Sequence, residues 1–266
     1  MNLPTDSHFD LTSYIAHLKT EKIGRNTLLF RSLDSTNSFV KSLDSEILPH
    51  GCLCITDHQT AGRGQYQRSW FSEPGKNLTF SILLKPKAND RTQLLLQVCA
   101  LSLVDAIQEI TGLQVWMKWP NDLYVGHQKV CGILAESTFT GKSLDRMIIG
   151  IGLNVNSDEY TLNKAGNAVS LKLLIQHELS KEYILAQFMN RLESYYERWV
   201  ISDEDLVRQI NHLYPCLGKT VTIMVDGVQT HQNFKFLGLD IDGYPLFLDE
   251  SLSLKKFVHE QIRFGL

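Results

Sequence analysis

Apolar residues return along this chain with two periods, and the places where one gives way to the other outline the elements. LTSYIAHLKTE (11–21) has the spacing of a short helix. LDSTNSFVKSL (33–43) reads as a strand end, then Asp34 or Ser35 as N-cap, then a short helix. GCLCITDH (51–58) is strand-like, and KNLTFSILL (76–84) sets Leu78, Phe80 and Ile82 against Thr79 and Ser81, as a half-buried strand does. The longest helix is predicted over 91–111, with Leu94, Leu95, Val98, Leu101 and Ile107 at helical spacing. It would start at Asn89 or Asp90, stop before Gly112, and lay one apolar face on a sheet. Strands follow at 113–119, 130–138 and 146–155, then a helix over 181–199 capped by Ser180. From 213 the texture changes to short β-prone pieces punctuated by Asp226-Gly227 and Asp242-Gly243, which predicts a small β-barrel.

Composition changes this picture only by exclusion. A chain of 266 residues with 43% apolar and 21% charged residues can bury one substantial core and a smaller second one, which rules out a disordered chain. A net charge of -3 gives no global basic field for nucleic acid or an anionic membrane, so any anion site must be local. No apolar run is read as a membrane span, and MNLPTDSHFD lacks the pattern of a signal peptide, so a cytoplasmic protein is expected. The five cysteines are odd in number and form no Cys-x-x-Cys pair, which suits free thiols in a reducing compartment. Cys52 and Cys54 alternate within one strand and would share a face. The first 25 residues form a short helical extension, too small for a helix-turn-helix module, so no DNA role is expected.

The candidate chemistry begins at QTAGRGQYQRSW (59–70). Gly62 and Gly64 let a backbone come close, Arg63 and Arg68 suit phosphate or carboxylate oxygens, and Trp70 can border an apolar or aromatic ligand. A solvated surface turn with one core tryptophan is the plain alternative. The loop is no dinucleotide fingerprint, because Gln67 stands where a third glycine belongs, and Gly141-Lys142-Ser143 is read as a hairpin tip and not a phosphate loop. In KWPND (118–122) Pro120 would end a strand and Asn121 and Asp122 would turn the chain, with the Asp122 carboxylate free to hold a metal ion or a ribose. Lys129 follows at the start of the next strand, and Gly132 in mid-strand suggests that a ligand or another backbone comes near. GIGLNVN (150–156) adds two strand glycines and two asparagine amides.

Taken in order, STN (35–37), QTAGRG with Trp70, GKNLTFS (75–81), KWPND, K-x-x-G-I-L-x-E (129–136) and G-x-G-L-N-V-N closely resemble the biotin protein ligases, also called biotin–[acetyl-CoA-carboxylase] ligases. The likeness runs from about residue 28 to the end. It implies an α/β (α+β) fold: a class II synthetase, biotinyl/lipoyl ligase-like catalytic domain with a mixed sheet over 1–212, and an SH3-like β-barrel over 213–266. It implies an enzyme that makes biotinyl-5'-AMP from biotin and ATP with Mg²⁺, then acylates one lysine of a biotin carboxyl carrier protein. By similarity Ser35, Thr36, Asn37 and Gln59 address the ureido ring, Gly132 and Ile133 wall the pocket, and Arg63, Gly64, Gln65 and Lys129 complete the biotin site. Arg63, Arg68, Trp70, Lys129 and Asn154 would hold ATP or the adenylate, Lys129 and Arg63 would be catalytic, and Asp122 would take Mg²⁺. Many members carry a further arginine where this loop has Gln65, and Gln67 also departs from their pattern. Gln65 is therefore given no charge role, and its removal is expected to loosen the adenylate only modestly. Lipoate ligases and octanoyl transferases share the fold, and a non-catalytic biotin sensor is the alternative from another class. Members include monomers and homodimers; the strand at 76–84 is either a pairing edge or an internal strand.

Overall fold

The computed structural model describes residues 9–86, 91–141, 143–162, 166–225, 228–257 and 262–265. Its larger sheet is built, in chain order, from β1 (Thr27–Leu33), β2 (Cys52–Gln59), β3 (Leu78–Leu84), β4 (Val115–Lys118), β5 (Asp122–Val125), β6 (Gln128–Thr140) and β7 (Ser143–Leu153). In space the order is β1-β2-β3-β7-β6-β5-β4. β1 and β2 run parallel and the other neighbours antiparallel, so the sheet is mixed. The helices are α1 (Leu11–His17), α2 (Thr36–Ser42), α3 (Gln93–Thr111), α4 (Glu159–Leu162), α5 (Leu171–Ile175), α6 (Lys181–Val200) and α7 (Glu204–Asn211).

Strand alternation divides the core. Leu53, Ile55, Leu78, Phe80 and Ile82 face α3 and α6, whereas Cys52, Cys54, Leu83 and Ile148 face the other way and pack with Val40 of α2. The two cysteines do share a face, and all five thiols are free and buried. Burial pushes Cys52 and Cys216 up to about 11, and Cys54, Cys99 and Cys131 higher still, so none is a thiolate near neutral pH.

Several elements differ from the sequence pattern for identifiable reasons. β3 is buried at every position and lies between β2 and β7, because α2 covers its second face; it is no free edge for pairing with another copy. α3 is not one-sided: Leu95, Gln97, Ala100 and Ser102 are all buried, since α6 and α7 pack on it in addition to the strands. By length and apolarity α3 would pass for a membrane span, contrary to the expectation from sequence, and its burial identifies it as the core helix. α1 ends at His17 because α6 captures the chain beyond it: Asn190 Oδ1 accepts from Lys19 N at 2.7 Å and Glu193 Oε1 from Ile23 N at 2.9 Å. The 120–125 stretch is a strand and not a turn from Asp122 onward, and α7 had no sequence expectation. The Gly141 hairpin stands, with Thr140 opposite Ser143 and Gly141 at φ +63°. Lys142, the Asn89/Asp90 helix start and the Asp226-Gly227 turn lie outside the described residues.

The second sheet joins β8 (Thr220–Val225), β9 (Val228–Leu239), β10 (Pro245–Leu248), β11 (Leu254–Lys256) and β12 (Ile262–Gly265), all antiparallel, in the order β11-β10-β9-β8-β12. The expected barrel does not close among the described residues, because β11 and β12 remain at opposite edges. The sheet still curls around an aromatic core: Phe257 beside one edge and Phe264 on the other both meet Phe247, at ring-centroid distances of 5.4 and 5.0 Å.

This sheet is tied to the helices of the larger unit by polar groups that serve as extra backbone. Asn211 Nδ2 donates to Leu239 O at 3.1 Å and its Oδ1 accepts from Leu239 N at 2.7 Å. Arg91 donates from Nε to Ile241 O and from Nη1 to Trp199 O, bracing the β9–β10 turn against the end of α6. Asn211→Ala leaves the Leu239 amide and carbonyl without their protein partner, and is expected to cost about 1–3 kcal/mol, seen as a lower urea midpoint with an unchanged slope. A midpoint equal to that of the unaltered chain would show that water replaces the amide without loss.

Candidate active site

A cleft of about 980 Å³ opens over the polar face of the larger sheet, and residues of the second sheet, among them Met224, Arg263 and Phe264, form part of its wall. It lies at the upper end of the range for small-molecule sites, room enough for two substrates side by side. Every residue that the resemblance assigns to the biotin, adenylate, catalytic or metal site lines this cleft, although they come from separate elements, whereas Gly62 and Asn156 do not line it and the Asn156 amide is spent on the Leu179 backbone.

One end is a polar floor. Ser35 caps α2, its Oγ accepting from Ser38 N, and the helix start delivers Thr36 and Asn37 toward β3. Gln59, the last residue of β2, accepts from Thr36 N at 2.8 Å. Ser81 Oγ lies 2.7 Å from Thr36 Oγ1 and 2.6 Å from Asn37 Oδ1. A hydroxyl has one proton and Asn37 Oδ1 can only accept, so Ser81 donates to Asn37 and receives from Thr36. Asn37 Nδ2 in turn donates to Glu136 Oε2 at 2.9 Å. Gly150 of β7 makes this possible, because a Cβ there would overlap the Asn37 amide.

The loop after β2 is itself ordered. Arg63 bridges to Ser69, Gly64 N donates to Arg68 O at 2.7 Å and Trp70 N to Gly62 O at 2.9 Å, forming a miniature hairpin whose tip is the 3₁₀ turn Gln65–Gln67. A Cβ on Gly62 would come 2.5 Å from Trp70 O, so this position has room for glycine alone. The hairpin lays the Trp70 indole over the backbone of Gly152 in β7 and Gly132 in β6, which face each other across the sheet. Alternation turns Ile133 the other way: its side chain is packed in the main core, so it serves the cleft through its backbone, where Ile133 O accepts from Asn121 Nδ2.

Beside Trp70 is the cationic end. Lys129 Nζ lies 2.6 Å from Asp122 Oδ1 and 5.6 Å from the centre of the Trp70 ring. Asp122 and Lys129 are on neighbouring strands, β5 and β6, which explains how residues seven apart meet. Arg68 is exposed on the rim. Arg63, in contrast, points to α2: its Nη2 donates to Ser38 Oγ at 2.7 Å and lies 3.9 Å from Glu136 Oε2. The buried Trp70 Nε1 and Asn154 Oδ1 have no hydrogen-bond partner, and both line the cleft. Buried polar atoms rarely stay unmatched, so these two mark places where a bound molecule can donate or accept.

Sequence reasoning missed three contributors. Glu136 collects Asn37, Lys41 and Arg63, and its place in K-x-x-G-I-L-x-E was the signal available. Ser81 was visible only as the polar side of an alternating strand, and Arg263, whose Nη2 donates to Gln65 Oε1 at 2.5 Å, had no signal. Among the described residues no group of three or more His, Cys, Asp or Glu side chains could hold a metal ion, and Asp122 already shares an oxygen with Lys129.

Known proteins resemble this chain in sequence and in fold. Residues 29–154 match the model of the Biotin/lipoate A/B protein ligase family. The chain is 28% identical over 251 residues to the Bifunctional ligase/repressor BirA of Bacillus subtilis, covering 93% of this chain and 77% of that protein. It is 33% identical over 199 residues to Biotin–protein ligase 1, chloroplastic, of Arabidopsis thaliana, covering 72% of this chain and 53% of that one. Among solved structures, the biotin protein ligase from Aquifex aeolicus in complex with biotin and ATP superposes with a TM-score of 0.77 at 28% identity, covering 90% of this chain and 98% of that one.

Proposed function

We propose that this chain, which belongs to the biotin/lipoate A/B protein ligase family, is a biotin protein ligase that activates biotin as biotinyl-5'-AMP and passes it to a lysine of a biotin carboxyl carrier protein. The observation that carries this reading is the joining, in one cleft, of a hydrogen-bonding floor to a lysine-bearing end beneath an indole. We take residues 1–212 as the catalytic unit and 213–266 as an appended SH3-like unit that walls one side of its cleft.

Biotin has an apolar bicycle, a ureido group that both donates and accepts, and a carboxylate tail. The Ser35, Thr36, Asn37 and Gln59 floor is held by its own hydrogen bonds and presents fixed polar atoms to the ureido ring. The tail then points toward Lys129. Attack of a carboxylate on the α-phosphate brings anions together and is opposed by repulsion until a cation offsets it. Lys129 supplies that charge, and Asp122 holds its ammonium in place so that little reorganisation accompanies the step. Trp70 borders the adenine or the adenylate, Asn154 meets its ribose or phosphate end, and Arg68 reaches the phosphates from the rim. The carboxylate oxygen displaces pyrophosphate; the acceptor lysine amine then attacks the acyl carbon, and AMP leaves.

Mg²⁺ enters as part of the substrate MgATP. Asp122, the carboxylate beside Lys129, would be the protein group nearest that ion, and among the described residues no group of three or more ligating side chains stands with it. Arg63 acts by fixing the loop to α2 through Ser38 and Glu136, and contributes its charge from there. A cytoplasmic, reducing setting suits five buried, unpaired thiols.

The test is transfer of labelled biotin to a purified apo carrier domain with Mg-ATP, beside lipoate and octanoate. Label from biotin alone is expected on the carrier. Label from lipoate alone would keep the fold and overturn the substrate, and biotin binding without transfer would favour a sensor.

A further inference from the structure

The tip of loop 62–70 is held by the second sheet. Arg263 of β12 donates from Nη2 to Gln65 Oε1 at 2.5 Å, and its guanidinium carbon lies 5.1 Å from the centre of the Tyr66 ring. Gln65 and Tyr66 are the first two residues of the 3₁₀ turn at the tip, and Tyr66 sits at φ +55°, where a residue with a side chain rests only when its surroundings hold it. The base of the loop is closed by its own backbone bonds, so base and tip have separate fastenings.

Arg263 is a firm post for such a hold. Its strand pairs with β8, with Arg263 opposite Met224, and the next residue, Phe264, stacks on Trp119 at 5.6 Å and 15°. Trp119 precedes Pro120 and Asn121, which run directly into the strand bearing Asp122. Loop tip, second sheet and the Asp122–Lys129 pair are thus connected through a short series of packed groups. Within the loop Arg63 is committed elsewhere, to Ser38 and Glu136, and Arg68 stands exposed on the rim.

We propose that Arg263 is a positioning residue that latches loop 62–70 over the acyl adenylate through Gln65 and Tyr66, so that the cation closing the loop comes from the second sheet. This rests on the ligase reading above. A mixed anhydride made in one half-reaction must be kept from water until the acceptor docks, and a loop fastened at base and tip excludes water better than one fastened at its base. The latch also revises the expectation for position 65: Gln65 carries no charge, but it accepts a charge-assisted hydrogen bond, and removing its side chain opens the tip.

The experiment uses the full chain with biotin and Mg-ATP and reads two quantities: the rate of adenylate formation, from the pyrophosphate burst, and retention, from the half-life of bound adenylate after free substrates are removed by gel filtration. Arg263→Gln is expected to shorten retention about tenfold more than it slows formation, the scale of one charge-assisted hydrogen bond at a partly exposed site. Gln65→Ala should shorten retention alike, and the Gln65→Ala/Arg263→Gln pair should be no leakier than either alone. The exchanged pair Gln65→Arg/Arg263→Gln should recover most of the retention, which a general loosening of the fold would not allow. Unchanged retention, or leaks that multiply in the double variant, would overturn the latch while leaving the ligase reading intact. Failure of the unaltered chain to form any biotin-dependent adenylate would overturn both.

Discussion

Lys129→Ala is expected to slow biotin transfer by at least about 10²-fold, the scale seen when one group that stabilises developing charge is removed. The ammonium lies 2.6 Å from Asp122 Oδ1, next to the Trp70 ring, in the cleft that the polar floor also lines. It is held by its carboxylate partner within the cleft, whereas Arg68 is on the rim and Arg63 faces α2. Alanine would leave two anionic substrates to meet beside an unneutralised Asp122. Loss of the partly exposed ion pair should change stability by only about 1 kcal/mol or less, so an unfolding curve near that of the unaltered chain would separate chemistry from folding. Asp122→Asn keeps the cation and loses its anchor, and a smaller loss of rate is expected from it. Transfer by Lys129→Ala at an undiminished rate would remove Lys129 from the chemistry.

A single methyl group at position 152 is expected to do comparable harm by a different route. Gly152 pairs with Thr79 on one side and Gly132 on the other, so its backbone has no freedom to retreat. A Cβ there would fall within the Trp70 indole, which must then leave its place over the strand. Stacking of a base on an aromatic ring is worth about 1–3 kcal/mol, so Gly152→Ala should raise the KM for ATP by about 5- to 150-fold. Gly150→Ala provides the contrast, because its Cβ would collide with Asn37 instead, and there the KM for biotin should bear the larger change. If both variants moved the two constants equally, the division of the cleft into a biotin end and a nucleotide end would be wrong.

These glycines also show what could be read before any coordinates. Two small residues at alternate positions of an apolar strand announce a close approach, and Gly132 gave the same signal, but nothing in the sequence named Trp70 as the group that approaches. The candidate residues could be gathered because their motifs are short and local, and the strands carrying them are strongly patterned. What escaped depends on contacts between distant segments: the carboxylate of Glu136 facing α2, the second face of β3 covered and not solvated, and Arg263 meeting Gln65 across 198 positions. Periodicity reports which face of an element is buried, not which partner buries it. Asp122 shows the same limit. Its neighbours Pro120 and Asn121 favour a turn, yet pairing with both β4 and β6 draws Asp122 into a strand.

The placement of Trp70 has a spectroscopic side. The chain has four tryptophans. Trp116 donates its indole N–H to Gly126 O, Trp199 donates to Arg91 O, and Trp119 is stacked on Phe264. Trp70 keeps a buried, unmatched Nε1 at the centre of the cleft, with the Lys129 ammonium beside its ring. An indole excited state is sensitive to hydrogen bonding at that nitrogen and to nearby charge, and both change when the cleft fills. The protein therefore carries its own optical probe: emission can follow the arrival of each substrate and the departure of the product in real time, without a dye and without altering the chain.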